Sequence, residues 1–302
     1  MEDSFEEQII EIGKEMVVCS NSCKGITNDQ INGIVPRCLY YRDSIQNDLT
    51  QLIDLEIKGK YEKLSSTREF NKRTPILSSS LLEIKNLKIL QGLTFKTKKT
   101  EGFHKELITL IKHKQNFLKK SGQRNINGLI IVGLNPGQIN SVEKQFFRTN
   151  DYQKSDNINK FLLQNDFFAK NTYFSEPYYK NICLFLQKIL NGADCPIIFS
   201  EVIYCQNELS NKTIPFATFS NCLNKYLFEI INRFDWPIIC FHKESSKFIH
   251  IKFPERKIIV VPHASGQYTA YKLKKMSRKH IINIQKIILN SFIEENKYFE
   301  FQ

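Results

Sequence analysis

From residue 126 onward, short apolar runs alternate with helix-like segments, and this alternation constrains the fold more than any other feature of the chain. The runs are Gly128-Val132, Pro196-Tyr204, Pro237-Phe241 and Lys257-Val261. Between and after them, Tyr178-Leu190, Phe219-Arg233 and Glu244-Ile249 carry apolar residues at helical spacing, and Arg278 to Glu295 reads as a closing helix. Continuous apolar runs are what strands buried on both faces require, so the pattern predicts βαβ units and a parallel sheet covered by helices on both sides. Residues 1–125 have a different texture. They are charged and poor in glycine, and Phe5-Val18, Ile45-Leu64 and Phe103-Lys120 show helical periodicity, with a polar loop expected over Ser66-Ser80. The division expected is therefore a mostly helical region, 1–125, followed by an α/β domain, 126–302.

At 302 residues and 41% hydrophobic, the chain can bury one large core or two modest ones. It has no apolar run of about 18 residues, and its acidic start, MEDSFEEQIIEIGKEM, is unlike a secretory signal. A cytoplasmic protein with no membrane partner is expected. Forty-three Lys and Arg against 31 Asp and Glu leave a net charge of +12, concentrated in Lys96-Lys99, Lys112-Lys120 and Tyr271-His280. Such clustering suits a polyanion partner such as nucleic acid, and equally suits solubility alone.

In open α/β sheets, ligands bind beyond the carboxyl ends of the strands. Two loops fall there. Gly133-Leu134-Asn135-Pro136-Gly137-Gln138 follows the first run, and Pro262-His263-Ala264-Ser265-Gly266 follows the last. Either can be an ordinary Gly/Pro turn. Together they bring an amide able to hold a water, an imidazole able to donate to a developing anion and a hydroxyl suited to phosphate toward one cleft. Neither G-x-G-x-x-G nor a Walker A sequence appears at a strand end, which disfavours a nucleotide-phosphate cradle.

On these residues the chain resembles the uracil-DNA glycosylase superfamily. Gly133-Leu134-Asn135-Pro136-Gly137 is similar to its first motif and His263-Ala264-Ser265-Gly266 to its last. Ile198-Cys205, Asn221-Leu227 and Trp236-Phe241 follow the order of the iron–sulfur branch. The resemblance spans about residues 126–290. It implies a three-layer α/β/α fold with a four-stranded parallel sheet, the helical N-terminal region being an extension, and a monomer that flips a pyrimidine out of DNA and hydrolyses its N-glycosidic bond.

Carried over, Asn135 positions the attacking water or stabilises the cationic sugar, and His263 donates to the base's O2. Gly137, Gln138, Ser265 and Gly266 approach the DNA backbone. Gln267 or Tyr268 fills the gap in the duplex, with Lys272, Lys274 and Lys275 supplying charge. Phe146 or Phe147 is the expected stacking partner for the flipped base, and either could instead be a core residue. No lysine stands where a Schiff-base nucleophile would act, so hydrolysis to an abasic site is expected rather than lyase chemistry.

Two departures stand out. Ala264 replaces a proline, which frees a backbone angle that the neighbouring Pro262 partly restores. Glu201 stands where the iron–sulfur branch has an asparagine that reads uracil. An ionised carboxylate only accepts hydrogen bonds, so it suits the N4 amino group of cytosine and opposes O4 of uracil. Selectivity against ordinary cytosine then requires a further mark, such as the hypermodified cytosines of bacteriophage DNA, for instance glucosylated hydroxymethylcytosine. Antiviral members are known in the superfamily. The alternatives for Glu201 are a protonated side chain, one turned to a lysine, or an alignment one residue off; for the chain, they are a uracil-repair glycosylase or a non-catalytic nucleic-acid-binding module.

The resemblance also implies four cysteine ligands for a 4Fe-4S cluster. Cys205 and Cys222 stand at the second pair's place, and Cys19 with Cys23 supplies the first, Cys38 being a substitute. The spacing Cys19-Cys23 is one residue longer than the family's, and zinc on the same thiolates or no metal at all are the alternatives. Cys183, Cys195 and Cys240 lie in apolar runs and are expected in the core.

Overall fold

A computed structural model describes residues 4–17, 39–67, 90–121, 127–134, 141–149, 152, 154–204, 216–265, 267–289 and 298–300. The chain divides into two compact units, Met1–Asp43 with Ile126–Phe185 and Cys195–Gln302 in the first, and Ser44–Asn125 with Leu186–Asp194 in the second.

The first unit is built on a sheet to which the described residues contribute six strands: β1 (Leu39–Arg42), β2 (Leu129–Gly133), β3 (Ile197–Glu201), β4 (Ile238–Cys240), β5 (Ile258–Val260) and β6 (Tyr298–Glu300). Their order is β1-β3-β2-β4-β5-β6. All pairs are parallel except β1 with β3. The four apolar runs of the sequence are β2 to β5, and every residue in them is buried, as strands covered on both faces must be. The sheet thus exceeds the four strands expected. β1 and β6 add an edge on each side, β1 antiparallel to β3 and β6 parallel to β5.

The helices of this unit are α1 (Phe5–Val17), α4 (Ser141–Phe147), α5 (Asn157–Asn171), α6 (Pro177–Leu190, of which Leu186–Leu190 count with the second unit), α7 (Phe216–Cys222), α8 (Phe228–Arg233), α9 (Lys243–Lys252), α10 (Gln267–Lys274) and α11 (Arg278–Leu289), with a π turn, Leu223–Leu227, joining α7 to α8. On one face, Ile130, Val132, Ile198, Ile238, Cys240, Ile258 and Val260 share a core cluster with α1 and the α7–α8 segment. On the other, Phe199 meets Tyr173 and Tyr179 edge-on, the latter from α6. Alternate residues of one strand point to opposite faces, so a fully apolar strand holds both layers.

The expected break at residue 125 is one boundary between the two units, but residues Met1–Asp43 belong with the α/β unit and not with the helical one. α1 buries Ile9, Ile12, Met16 and Val17 in the core cluster of the α/β unit, and β1 extends its sheet. A β-carbon at Gly13 would come within 2.5 Å of the Phe161 ring, so glycine there lets α1 and α5 approach closely. The helical period shows that α1 is amphipathic but not which core receives its apolar face.

In the second unit, α2 (Ile45–Ser65) packs on α3 (Lys98–Lys120). Ion pairs join Asp54 to Lys114 and Lys60 to Glu106, so the partner number falls as the chain advances and the two helices are antiparallel. Lys112, Lys119 and Lys120 are exposed on α3. The loop expected over Ser66–Ser80 lies, from residue 68, outside the described residues, as do residues 290–295 of the expected closing helix. Among the described residues no helix is long and apolar enough to cross a membrane.

Candidate active site

β2 is central. The chain leaves it to form β3 on one side and then crosses to β4 on the other, which makes the carboxyl end of β2 the topological switch point where α/β sheets bind ligands. The ladder continues past the strand ends here: Val202 N–H donates to Gly133 O, Ile203 N–H to Leu134 O and Phe241 N–H to Val132 O. Gly133, Leu134, Glu201 and Phe241 are therefore held by backbone bonds at one end of the sheet.

Gly133 is required by what stands beside it. A β-carbon there would run into Glu201 Oε2 and lie 2.7 Å from both Glu201 Cδ and the Tyr178 hydroxyl. Glu201 ends β3 and is only 3% exposed. Tyr178 comes from the first turn of α6; burial, then the Glu201 carboxylate, then Cys240 hold its phenol well above its ordinary pKa, so the hydroxyl keeps its proton and can donate.

The Tyr178 ring also meets the loop after β5. Its centroid is 5.3 Å from that of His263, with the planes inclined by 33°. Ser265 N–H lies 3.2 Å and Ser265 Oγ 2.9 Å from His263 Nδ1. A backbone N–H only donates, so Nδ1 is the acceptor, and the proton of the neutral ring sits on Nε2. Burial lowers the His263 pKa, partly offset by the Ser265 carbonyl 3.4 Å from Nδ1. The result is a neutral imidazole with a donor at Nε2.

His242, following β4, repeats the device. It caps α9, its Nδ1 accepting from Ser245 N–H at 3.3 Å. Burial, and then the proximity of His263, keep it neutral. Asn181, one turn beyond Tyr178 on α6, donates to the carbonyl of buried Ala264 at 2.8 Å. That bond fixes the loop at the position where the resemblance has proline, so the freedom expected from Ala264 is removed by a side chain.

Of the residues expected from the sequence, the structure brings together His263 and Ser265, and Tyr178 contacts His263 with its ring while its hydroxyl and Glu201 approach Gly133. Asn135, Gly137, Gln138 and Gly266 lie outside the described residues. Gln267 and Tyr268 open α10, and Lys272, Lys274 and Lys275 are exposed at its end beside Tyr271, which is 59% exposed. Phe147 is corrected: it is 3% exposed in the core cluster, edge-on to Phe146 and Tyr152, so its ring cannot receive a flipped base. Phe146 stacks on Phe167 at 4.4 Å, which takes up one face of its ring, and is partly buried against the same cluster. Sequence reading missed Tyr178, Asn181 and His242. Asn181 had a signal, being with Gln187 one of two amides inside the apolar stretch Tyr178-Leu190; Tyr178 had none.

Of the four candidate cluster ligands, Cys19, Cys23 and Cys205 lie outside the described residues, as does Cys38. Cys222 ends α7 buried in the core cluster with Leu223 and Tyr226. Among the described residues no group of three or more His, Cys, Asp or Glu is placed to hold a metal ion. Cys183, Cys195 and Cys240 are buried, as expected of core thiols.

Compared with known proteins, the chain matches no family model, no curated protein and no solved structure.

Proposed function

We propose that the chain is a monofunctional DNA glycosylase that flips a modified pyrimidine out of DNA and hydrolyses its N-glycosidic bond, leaving an abasic site. The observation that carries this reading is His263: a neutral imidazole, fixed by Ser265 with its proton on Nε2, in the loop after β5 and against the ring of Tyr178. The order of β2 to β5, in which the second strand lies outside the first and the third and fourth follow on its other side, supports a uracil-DNA glycosylase-like core carrying two extra edge strands.

In this reading the bond between C1′ and the base nitrogen breaks with both electrons leaving on the base. Negative charge collects at O2, where the Nε2–H of His263 donates to it. A neutral donor serves better here than a cation because its proton is held and not lost to solvent between turnovers. Asn135 orients the water that adds to C1′; one proton of that water passes to solvent, the other stays on the new C1′ hydroxyl, and the departing base anion takes up a proton from solvent. Ser265, exposed next to His263, and the basic end of α10 hold the flanking phosphates. Glu201 selects a base with an amino group at position 4, so the preferred substrate is a hypermodified cytosine such as glucosylated hydroxymethylcytosine of phage DNA, and the role is antiviral defence in the cytoplasm. A 4Fe-4S cluster on Cys19, Cys23, Cys205 and Cys222 would be structural, and no step passes through it.

The test is a screen of genomic DNAs carrying uracil, hydroxymethylcytosine or glucosylated hydroxymethylcytosine for abasic sites. The expected outcome is abasic sites in the modified-cytosine DNAs and none in unmodified DNA. Efficient attack on uracil alone would shift the reading to repair, and binding without breaks on any DNA would sink the enzyme.

A further inference from the structure

Side chains from three elements meet at the end of β2, and one of them, the Tyr178 hydroxyl, has no part in the hydrolysis above. Glu201 brings its carboxylate to the space that the missing side chain of Gly133 leaves, and Tyr178 brings its hydroxyl to the same point. The Tyr178 ring also lies against the imidazole of His263, 5.3 Å from its centroid. Around one tyrosine the site gathers a carboxylate, a phenolic hydroxyl and an imidazole.

With Glu201 taken as ionised it accepts, the Tyr178 hydroxyl keeps its proton and donates, and Nε2–H of His263 donates. The complementary edge is donor, acceptor, acceptor. Cytosine has that edge in its N4 amino group, N3 and O2, whereas uracil presents acceptor, donor, acceptor and matches only at O2. Phe146 and Phe147, packed into the core, supply no polar group to such an edge.

We infer that Tyr178 is a specificity-determining residue of this site, its hydroxyl donating to N3 of a cytosine-type base while Glu201 accepts from N4 and His263 donates to O2. The inference rests on the glycosylase reading and narrows its substrate to bases that keep the cytosine edge, whatever they carry at position 5. The hydroxyl and the carboxylate approach the same point beside Gly133. A bound base gives Glu201 an amino group instead and leaves the hydroxyl free for N3. Position 5 lies off this edge, so the three residues read the base and leave the modification to be read elsewhere.

The experiment uses the full chain and two oligonucleotides, one with a single 5-hydroxymethylcytosine and one with a single uracil at the same place. Both equilibrium binding and excision are measured. Tyr178→Phe keeps the ring against His263 and removes the hydroxyl; the preference for hydroxymethylcytosine over uracil is expected to fall about tenfold, the effect of losing one hydrogen bond. The titration of His263, followed by NMR, is expected to stay where it is in the wild type. An unchanged preference with an unchanged His263 titration overturns the inference. Glu201→Gln is the second arm: an amide can donate to O4, so the preference is expected to move toward uracil, and no movement also overturns it. If the wild type releases neither base, the glycosylase reading fails, and the inference is then decided by binding alone. A Tyr178-dependent binding preference sustains it, and equal wild-type binding of the two oligonucleotides ends it.

Discussion

The imidazole of His263 and the phenol of Tyr178 lie 5.3 Å apart, centroid to centroid, with their planes inclined by 33°. The contact joins the loop after β5 to the first turn of α6, and the hydroxyl at the far end of the same tyrosine reaches Gly133 at the end of β2. The glycine that opens the first loop and the histidine that opens the last are thus linked through a side chain that neither motif contains.

Gly133→Ala is expected to destabilise the protein by about 1–3 kcal/mol, because the new methyl group overlaps the Glu201 carboxylate and the strand backbone on both sides cannot yield. Chemical denaturation measures this. In the double variant Gly133→Ala with Glu201→Ala the combined loss should be smaller than the sum by about 1 kcal/mol, since the two side chains no longer compete for one space.

Stability should depend on pH through His263 and His242. Both have folded pKa values below the ordinary 6.5, so above 6.5 both are neutral in either state and their neutrality carries no penalty. Below 6.5 the unfolded chain takes up protons that the folded chain refuses, and stability falls until pH passes the lower folded values. The groups that share this environment are Tyr178, Glu201, Cys240 and Glu244, together with the two histidines themselves. Thermal melts at a series of pH values should show the fall, and His242→Asn should reduce its slope. A stability that stays flat between pH 6.5 and 5 in the wild type would contradict this.

Asn181→Ala removes the donor that holds the Ala264 carbonyl and leaves that buried acceptor without it. A loss of about 1–3 kcal/mol is expected. Amide hydrogen exchange should locate the change, with Ala264 and Ser265 exchanging faster while the β4 and β5 amides keep their protection. Uniform acceleration over the whole sheet would instead mean that Asn181 supports the fold and has no particular hold on this loop.

The sheet was legible in the sequence because β2 to β5 are buried on both faces and leave continuous apolar runs. β1 and β6 were not, since Leu39-Tyr40-Tyr41-Arg42 and Tyr298-Phe299-Glu300 are short and mix polar with aromatic residues, as edge strands do. α1 was legible as a helix but not as part of the α/β unit, because periodicity shows a face and not its partner. In the site, His263, Ser265 and Glu201 were legible because they stand at strand ends, where side chains serve ligands. Tyr178 was not, as an aromatic at helical spacing looks like a core residue. Phe147 shows the converse: an aromatic near a motif, singled out for stacking, is a core residue.

The most direct test is single-turnover excision from an oligonucleotide carrying one glucosylated hydroxymethylcytosine, scored by alkali-sensitive breaks, for the wild type, Asn135→Ala and His263→Ala. The account predicts breaks at the modified base with the wild type and a rate lower by about 10²–10³-fold in His263→Ala, the scale set by removing one donor to a developing oxyanion. Asn135→Ala should bind the oligonucleotide and leave it intact. Breaks of equal rate in His263→Ala and the wild type, or none with the wild type on this and the hydroxymethylcytosine oligonucleotide, would contradict it.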